Sequence, residues 1–199
     1  MNKNLNYLFI FSTLLGAHLV YASSTSTKPS FTDLAKTHEK KAGETQFALR
    51  VVDHGRDWDK KVSHLHAQEI DLHIKAKEAL HAAKNGSKKD QEDALHASDR
   101  AFLQSNIAKA LGKQYSSGHP MPVKVEHRVA DFKSNPNGPT TSVMMKFENS
   151  ADRDKYHALN KSQINLSPTD VDKGIGQAND GTHYINIKHD SPLFQQEGQ

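Results

Sequence analysis

The chain of 199 residues contains no cysteine. Disulfide bonds, thiol nucleophiles and sensitivity to redox state are therefore all excluded. Exported domains often depend on disulfides, most of all when they are small. A chain of this length can instead depend on packing, and it suffices for one domain with a hydrophobic core.

A strong net charge is also missing, since 26 Lys and Arg residues stand against 23 Asp and Glu, for a net charge of +3. A nearly balanced chain has no built-in affinity for polyanions, so there is no strong nucleic-acid signal, and such a role would need a local basic patch. Specific catalytic and cofactor motifs are missing as well. There is no Gly-x-Ser-x-Gly elbow, no complete dinucleotide glycine motif and no H-E-x-x-H. We therefore expect no cofactor and assign no catalytic residue.

Residues 1–22 have the pattern of a secretory signal peptide. Lys3 precedes an apolar run from Leu8 to Ala17, and Val20-Tyr21-Ala22 resembles a cleavage site. The run holds about ten residues, whereas spanning a bilayer takes about 20. We expect cleavage after Ala22 and release of a secreted protein, extracellular or periplasmic, that no longer binds the membrane.

Histidine is unusually frequent, with 13 residues in the chain. The simplest interpretation is that these side chains are solvated on the surface. The alternative is a role in acid sensing, because histidine titrates close to physiological pH.

The polar stretch 23–45 is interpreted as a disordered N-terminal arm, 46–190 as a single domain, and 191–199 as a flexible tail. Within the domain, alternating apolar residues predict a strand at 46–53. Apolar residues at helical spacing then predict helices at 57–84 and 87–111. Ser87 and Asp90 form a capping-box pattern between them, and Gly112 is the expected helix end. Two such helices predict an antiparallel hairpin.

Period-two alternation returns after this hairpin and predicts strands at 123–129, 140–148 and 182–188, with a short helix at 151–161 and a loop around Gly174 and Gly176. The resulting order is βαββαβ, with the first crossover widened to two helices. This order resembles the ferredoxin-like sandwich, which implies an α+β fold with an antiparallel sheet and helices on one face. The resemblance implies no function.

His66, Glu69 and His73 invite a metal interpretation. Neighbouring members are three and four residues apart on a predicted helix, but His66 and His73 are about 10.5 Å apart along the axis. A weak divalent-metal site is therefore weighed against a polar helix flank. Three sequons, at Asn85, Asn160 and Asn165, are candidate glycosylation sites if the source is eukaryotic.

The leading hypothesis is a secreted, non-enzymatic protein-interaction module, for instance an effector acting on another organism. Ile70 and Ile74 lie off the apolar stripe of their helix and are the candidate contacts with a protein partner. Their contact with the N-terminal arm is the competing interpretation.

Two other functions are carried as alternatives. One is a peptidase inhibitor or propeptide-like protein, because subtilisin propeptides share the βαββαβ order and the tail 191–199 would reach a protease cleft. The other is a small secreted nuclease using His127 and His183, although alternation places His127 on the face opposite Glu126 and Arg128.

Overall fold

The computed structural model describes residues 28–53, 60–168 and 172–195. The elements follow in the order α1 (Phe31–Asp53), α2 (Lys60–Ala83), α3 (Lys88–Ser116), β1 (Lys124–Val129), β2 (Thr140–Phe147), α4 (Ser150–Asn160), β3 (Ile175–Gln177), β4 (His183–Lys188) and a 3-10 helix (Pro192–Phe194). The four strands form one antiparallel sheet in the order β1-β2-β4-β3. The predicted α+β class with an antiparallel sheet is confirmed. The order of elements differs from the ferredoxin-like βαββαβ, because three helices precede the first strand.

The strand predicted at 46–53 is wrong, since these residues are the C-terminal part of helix α1. Leu34, His38 and Ala42 are buried at a spacing of four residues, which is a helical repeat. Packing of this stripe against α2 favours a helix. It outweighs the period-two alternation of apolar residues at 46–53, on which the predicted strand was based. The same helix takes up residues 31–45 of the predicted disordered arm. Ser30 begins it, because its Oγ accepts a hydrogen bond from the Asp33 amide.

The antiparallel hairpin of α2 and α3 is confirmed, and so is the capping box in which Ser87 and Asp90 exchange hydrogen bonds. The predicted end at Gly112 is wrong, because α3 continues to Ser116. Leu111 is fully buried and Gln114 hydrogen-bonds to α4, so tertiary contacts carry the helix past the glycine. The left-handed turn comes at Gly118, with φ of 76°.

One face of the sheet carries the main core. Its apolar side chains pack against the start of α2, the second half of α3 and α4, and they include Val125, Val143, Met145, Ile185 and Ile187. The other three predicted strands, at 123–129, 140–148 and 182–188, are confirmed to within about two residues. Strand β3 was missed, because it is three residues long, follows Gly174 and contains Gly176, in what was predicted to be a loop. The predicted short helix is confirmed as α4, and the side chain of Asn149 caps it by accepting a hydrogen bond from the Asp152 amide.

The C-terminal segment also differs from the predicted flexible tail as far as residue 195. The Ser191 hydroxyl accepts a hydrogen bond from the Asn165 amide and donates one to the Gln163 carbonyl. Leu193 and Phe194 belong to the main core. Residues 1–27, which include the predicted signal peptide, and residues 196–199 lie outside the described residues. Within the described ranges, no helix is long and apolar enough to cross a membrane.

Candidate functional site

A polar layer interrupts the helix interior. The buried stripe of α2 runs through Leu65, Glu69, His73 and Leu80, so two positions that face inward are ionisable. An apolar cluster lies on each side of them. One is the sheet core, which includes Leu65, and the other joins the start of α1, the end of α2 and the start of α3 through Leu34, Ala35, Leu80, Ala83 and Ala94. Buried polar groups at such a position are costly unless they are hydrogen-bonded.

Two histidines meet at the centre of this layer. His38 Nδ1 of α1 and His73 Nδ1 of α2 are 2.7 Å apart, and both residues are 0% exposed. Their outer nitrogens bind α3: His38 Nε2 lies 2.8 Å from Ser98 Oγ, and His73 Nε2 lies 2.8 Å from Ser105 Oγ. The Phe102 ring packs against both imidazoles, with centroid distances of 4.6 Å and 5.9 Å.

The hydrogen bonds continue to a carboxylate. Ser105 Oγ donates to Glu69 Oε1 at 2.7 Å, and His66 Nδ1 lies 3.2 Å from Glu69 Oε2. We call this connected set the histidine network; its members are His38, His66, Glu69, His73, Ser98 and Ser105. It joins all three of the first helices.

Glu69 fixes the direction of the network. Burial raises the pKa of its carboxyl, but the hydrogen bonds from His66 and Ser105, with the charges of the two nearby histidines, lower that pKa overall. An ionised carboxylate only accepts hydrogen bonds, so Ser105 donates to it and must accept from His73 Nε2. His73 Nδ1 then accepts from His38 Nδ1, and His38 Nε2 accepts from Ser98. Every buried donor in this direction has an acceptor while both imidazoles are neutral.

Both central imidazoles are held neutral. Burial lowers the pKa of His38 to about 4, and the neighbouring His73 adds to the effect. Burial also lowers the pKa of His73, with Lys41 acting in the same direction and Glu69 opposing it. At pH 7 the two central imidazoles are therefore neutral beside the ionised carboxylate of Glu69.

Ser98, His38 and His73 have the connectivity of a nucleophile, a base and an orienting group. Ser98 is 3% exposed and faces the interface between helices, so no substrate reaches its hydroxyl in this conformation. The arrangement therefore supports a conformational role more strongly than catalysis.

The three residues of the weak metal prediction do lie together. His66 and His73 approach opposite oxygens of Glu69, at 3.2 Å and 4.0 Å. The Glu69 oxygens and His73 Nε2 are already engaged in hydrogen bonds within the network. Among the described residues, no group of three or more metal-ligating side chains has a geometry that could hold an ion. The metal site stays a prediction.

The sequence missed His38, Ser98 and Ser105. A helical repeat through Leu34, His38 and Ala42 was the available signal, but it lies in the stretch interpreted as a disordered arm. The expectation of solvated histidines is wrong for His38, His73 and the largely buried His127. The last donates from Nε2 to Gln104 Oε1 at 2.9 Å, and burial, with the nearby Arg100, lowers its pKa to about 4.

The predicted contact residues lie on the flank of α2 beside α1. Ile74 is 41% exposed and Ile70 is half-buried. Both share a side of α2 with Lys77, because residues three and four apart are neighbours on a helix. Lys77 Nζ reaches Glu39 Oε1 of α1 at 3.4 Å, so this side of α2 adjoins α1.

An exposed aromatic residue stands on the adjoining side of α1. Gly43 and Phe47 follow Glu39 at intervals of four residues, so they lie on the same side of the helix. Phe47 is 70% exposed, and the space around Gly43 is open. We call Gly43, Phe47, Ile70 and Ile74 the α1–α2 stripe.

The two nuclease candidates do not converge. In the sheet register His127 is opposite Val143 and His183 is opposite Phe147, four residues along β2. This separation is about 13 Å. Glu126 lies on the other face, as the alternation predicted.

The three sequons differ in accessibility. Asn85 and Asn165 are exposed. Asn160 is buried, and its amide donates to the Tyr156 carbonyl and accepts from Gln114. A glycan on Asn160 is incompatible with this packing, whereas the other two positions remain candidates.

Fold and site together define an α+β protein in which α1, α2 and α3 are joined by an internal histidine network, while α2, α3 and α4 pack against an antiparallel sheet. No protein-family model, no curated protein and no solved structure matches the chain. Its function is therefore argued from its own residues.

Proposed function

We propose that the protein is a secreted, non-enzymatic interaction module that binds a protein partner through the α1–α2 stripe. An effector acting on another organism is one role that such a module would serve. The observation that carries the proposal is the exposure of Phe47 and Ile74 on adjoining sides of two packed helices. Large apolar side chains grouped on a surface are typical of contact sites.

The composition of the stripe suits a protein partner. Burying a Phe or Ile side chain fully is worth about 1.5–3 kcal/mol, so Phe47 and Ile74 would supply useful binding energy. Aromatic side chains are frequent anchors of protein interfaces, and polar groups usually form the rim. Here the Glu39–Lys77 pair would provide part of that rim. Gly43 leaves room for a partner side chain beside Phe47.

The alternatives have less support. The inhibitor hypothesis needs a free tail, but Leu193 and Phe194 are buried in the main core. The nuclease hypothesis needs converging histidines, but His127 and His183 are four strand positions apart.

Secretion is tested by expressing the full chain in an exporting host and sequencing the N-terminus of the product recovered outside the cytoplasm. We expect the mature chain to begin at Ser23. A product that retains Met1 and stays in the cytoplasm would contradict the proposal.

Partner binding is tested with a photo-crosslinking residue in place of Phe47 and with the variant Phe47→Lys/Ile74→Lys. We expect one protein to crosslink at Phe47 and the double variant to lose at least 90% of its capture. Leu159→Lys is the matched control, because Leu159 is 52% exposed but lies on α4. Equal capture by the wild type and the double variant, or equal loss in the control, would refute the assignment of the stripe.

A further inference from the structure

We propose that α1 is an acid-releasable helix: neutral His38 and His73 hold it on α2 and α3, and protonation of this pair detaches it. This inference does not depend on what the α1–α2 stripe binds. It rests on three features of the interface, which are its small apolar area, the facing nitrogen atoms and the charges around them.

The apolar contact of α1 is small. Among its residues 31–50, the buried side chains are Leu34, Ala35, His38 and Ala42, and the partly buried Phe31 packs beside them. Leu34 is the one large aliphatic residue in that buried set, and Phe47 points outward. His38 therefore supplies much of the buried side-chain volume, and its hydrogen bonds to His73 and Ser98 join α1 to both neighbouring helices.

The facing nitrogens limit how many protons the pair accepts. A first added proton can enter at His38 Nε2, where the Ser98 hydroxyl turns from donor to acceptor, and a single proton still lies between the two Nδ1 atoms. A second added proton would place an N–H on each Nδ1, with 2.7 Å between them. Neither hydrogen would have an acceptor there, and two like charges would be in contact. The doubly protonated pair therefore cannot keep this geometry.

The charges around the pair come from two helices. On α1, Lys41 opposes protonation of His73. On α2, Glu69 favours it, and His66 is hydrogen-bonded to Glu69. Helix α3 contributes Ser98, Ser105 and Phe102, which are neutral. Among the described residues, Glu69 is thus the one carboxylate in the network, and it can balance one imidazolium but not two.

The expected effect of pH on the docking of α1 follows from the linkage between docking and protonation of His38. His38 has a pKa of about 4 when docked, against 6.5 for a solvated histidine. Docking is fully favourable above pH 6.5 and weakens as the pH falls toward 4, because the released helix takes up a proton that the docked helix does not. Between pH 7 and pH 5, His38 alone lowers the docking constant roughly 20-fold. His73 shifts in the same direction and adds to this loss.

The test uses spin labels, which the absence of native cysteine makes site-specific. Lys36→Cys on α1 and Glu78→Cys on α2 are exposed and report α1 docking. Lys109→Cys on α3 and Lys188→Cys on β4, labelled in a second sample, report the rest of the fold. We expect the first distance distribution to broaden and lengthen below about pH 5, while the second stays unchanged at the same pH.

The variant His38→Leu/His73→Leu removes both titrating rings and fills their space. We expect α1 to stay docked at pH 4.5 in this variant, since Ser98 can donate to a carbonyl of the preceding helical turn and Ser105 keeps its hydrogen bond to Glu69. His81→Leu is the matched control, because His81 is exposed and lies on α2, as His73 does. This variant should release α1 in acid as the wild type does. Should the double variant misfold, the wild-type pair of measurements still decides the matter. An unchanged α1 distance down to pH 4, simultaneous loss of both distances, or acid release in the folded double variant overturns the proposal.

Discussion

At the residue scale, two imidazoles occupy inward positions at which helix interfaces ordinarily hold aliphatic side chains. Leucine at 38 and 73 would avoid the cost of desolvating polar groups. The histidines are tolerated because each ring nitrogen has a partner, at 2.7 Å between the rings and 2.8 Å to each serine. Such a network is stable only while complete, because removing one member leaves another member buried without a partner.

Truncating either histidine should therefore be costly. For His38→Ala and His73→Ala we expect a loss of about 2–4 kcal/mol each, from a cavity and an orphaned ring nitrogen. The double variant should lose less than the sum of the two, by at least about 0.5 kcal/mol, because the second substitution removes a group that the first had already orphaned. Urea unfolding at pH 7.5 measures all three. The exposed His81→Ala should stay within about 0.5 kcal/mol of the wild type, and strict additivity of the two truncations would show that the rings do not act as a pair.

At the scale of elements, Gln104 of α3 joins the helices to the sheet. It is fully buried, its Nε2 reaches the Leu65 carbonyl of α2 at 3.4 Å, and its Oε1 accepts from His127 Nε2 of β1. Within the described part of the chain, His127 Nδ1 has no hydrogen-bond partner, so the bond to Gln104 is the one that satisfies this ring.

Replacing Gln104 with Leu should cost about 2–3 kcal/mol, because it leaves His127 buried without a partner. Adding His127→Leu to this variant should recover part of the loss, since both polar ends are then apolar. His127→Leu by itself should be destabilising, because it orphans Gln104 Oε1. Thermal or urea unfolding of the three variants checks this order. A double variant less stable than Gln104→Leu would contradict it.

Some of the helices and strands were predictable from sequence patterns, and others were not. The α2–α3 hairpin was predictable, because the capping box at Ser87 and Asp90 and a long apolar repeat are local signals. Strands β1, β2 and β4 were predictable for the same reason, since apolar residues alternate with mostly polar ones along each of them. Helix α1 was not, because the buried stripe of Leu34, His38 and Ala42 is small and polar and is fixed only by contact with α2 and α3.

The site was predictable in part. Glu69 and His73 drew attention through their spacing on one helix, together with His66. Their partner His38 is 35 residues away from His73 in the chain, on an element whose type was mispredicted. The hydrogen-bond partners of the two rings on α3 are Ser98 and Ser105, which carry no sequence signal of their own. Tertiary packing, and not local pattern, therefore decides that these histidines are buried.

At the scale of the whole molecule, buried histidines should make stability depend on pH. His38 and His127 each have a pKa of about 4 in the folded chain, against 6.5 when solvated, and the pKa of His73 is lowered too. Each takes up a proton on unfolding, so its stabilising contribution is complete above pH 6.5 and declines as the pH falls toward 4. Hydrogen bonds with Thr182 and Lys146 lower the pKa of Asp180, and those with Lys124 and Lys146 outweigh burial and lower the pKa of Glu126, so the contributions of these carboxylates decline only at still lower pH.

The free energy of unfolding should therefore fall by several kcal/mol between pH 7 and pH 5, with about 2 kcal/mol from each of His38 and His127 as an upper value. Urea titrations at pH 7, 6 and 5 measure this slope. In His38→Leu/His73→Leu the slope should shrink by about half, because His127 still titrates, whereas the exposed His81→Leu should keep it. A flat profile in the wild type would show that the interior admits enough water to solvate these rings. The helix interface would then have no reason to respond to acid, because its histidines would titrate alike in the docked and released states.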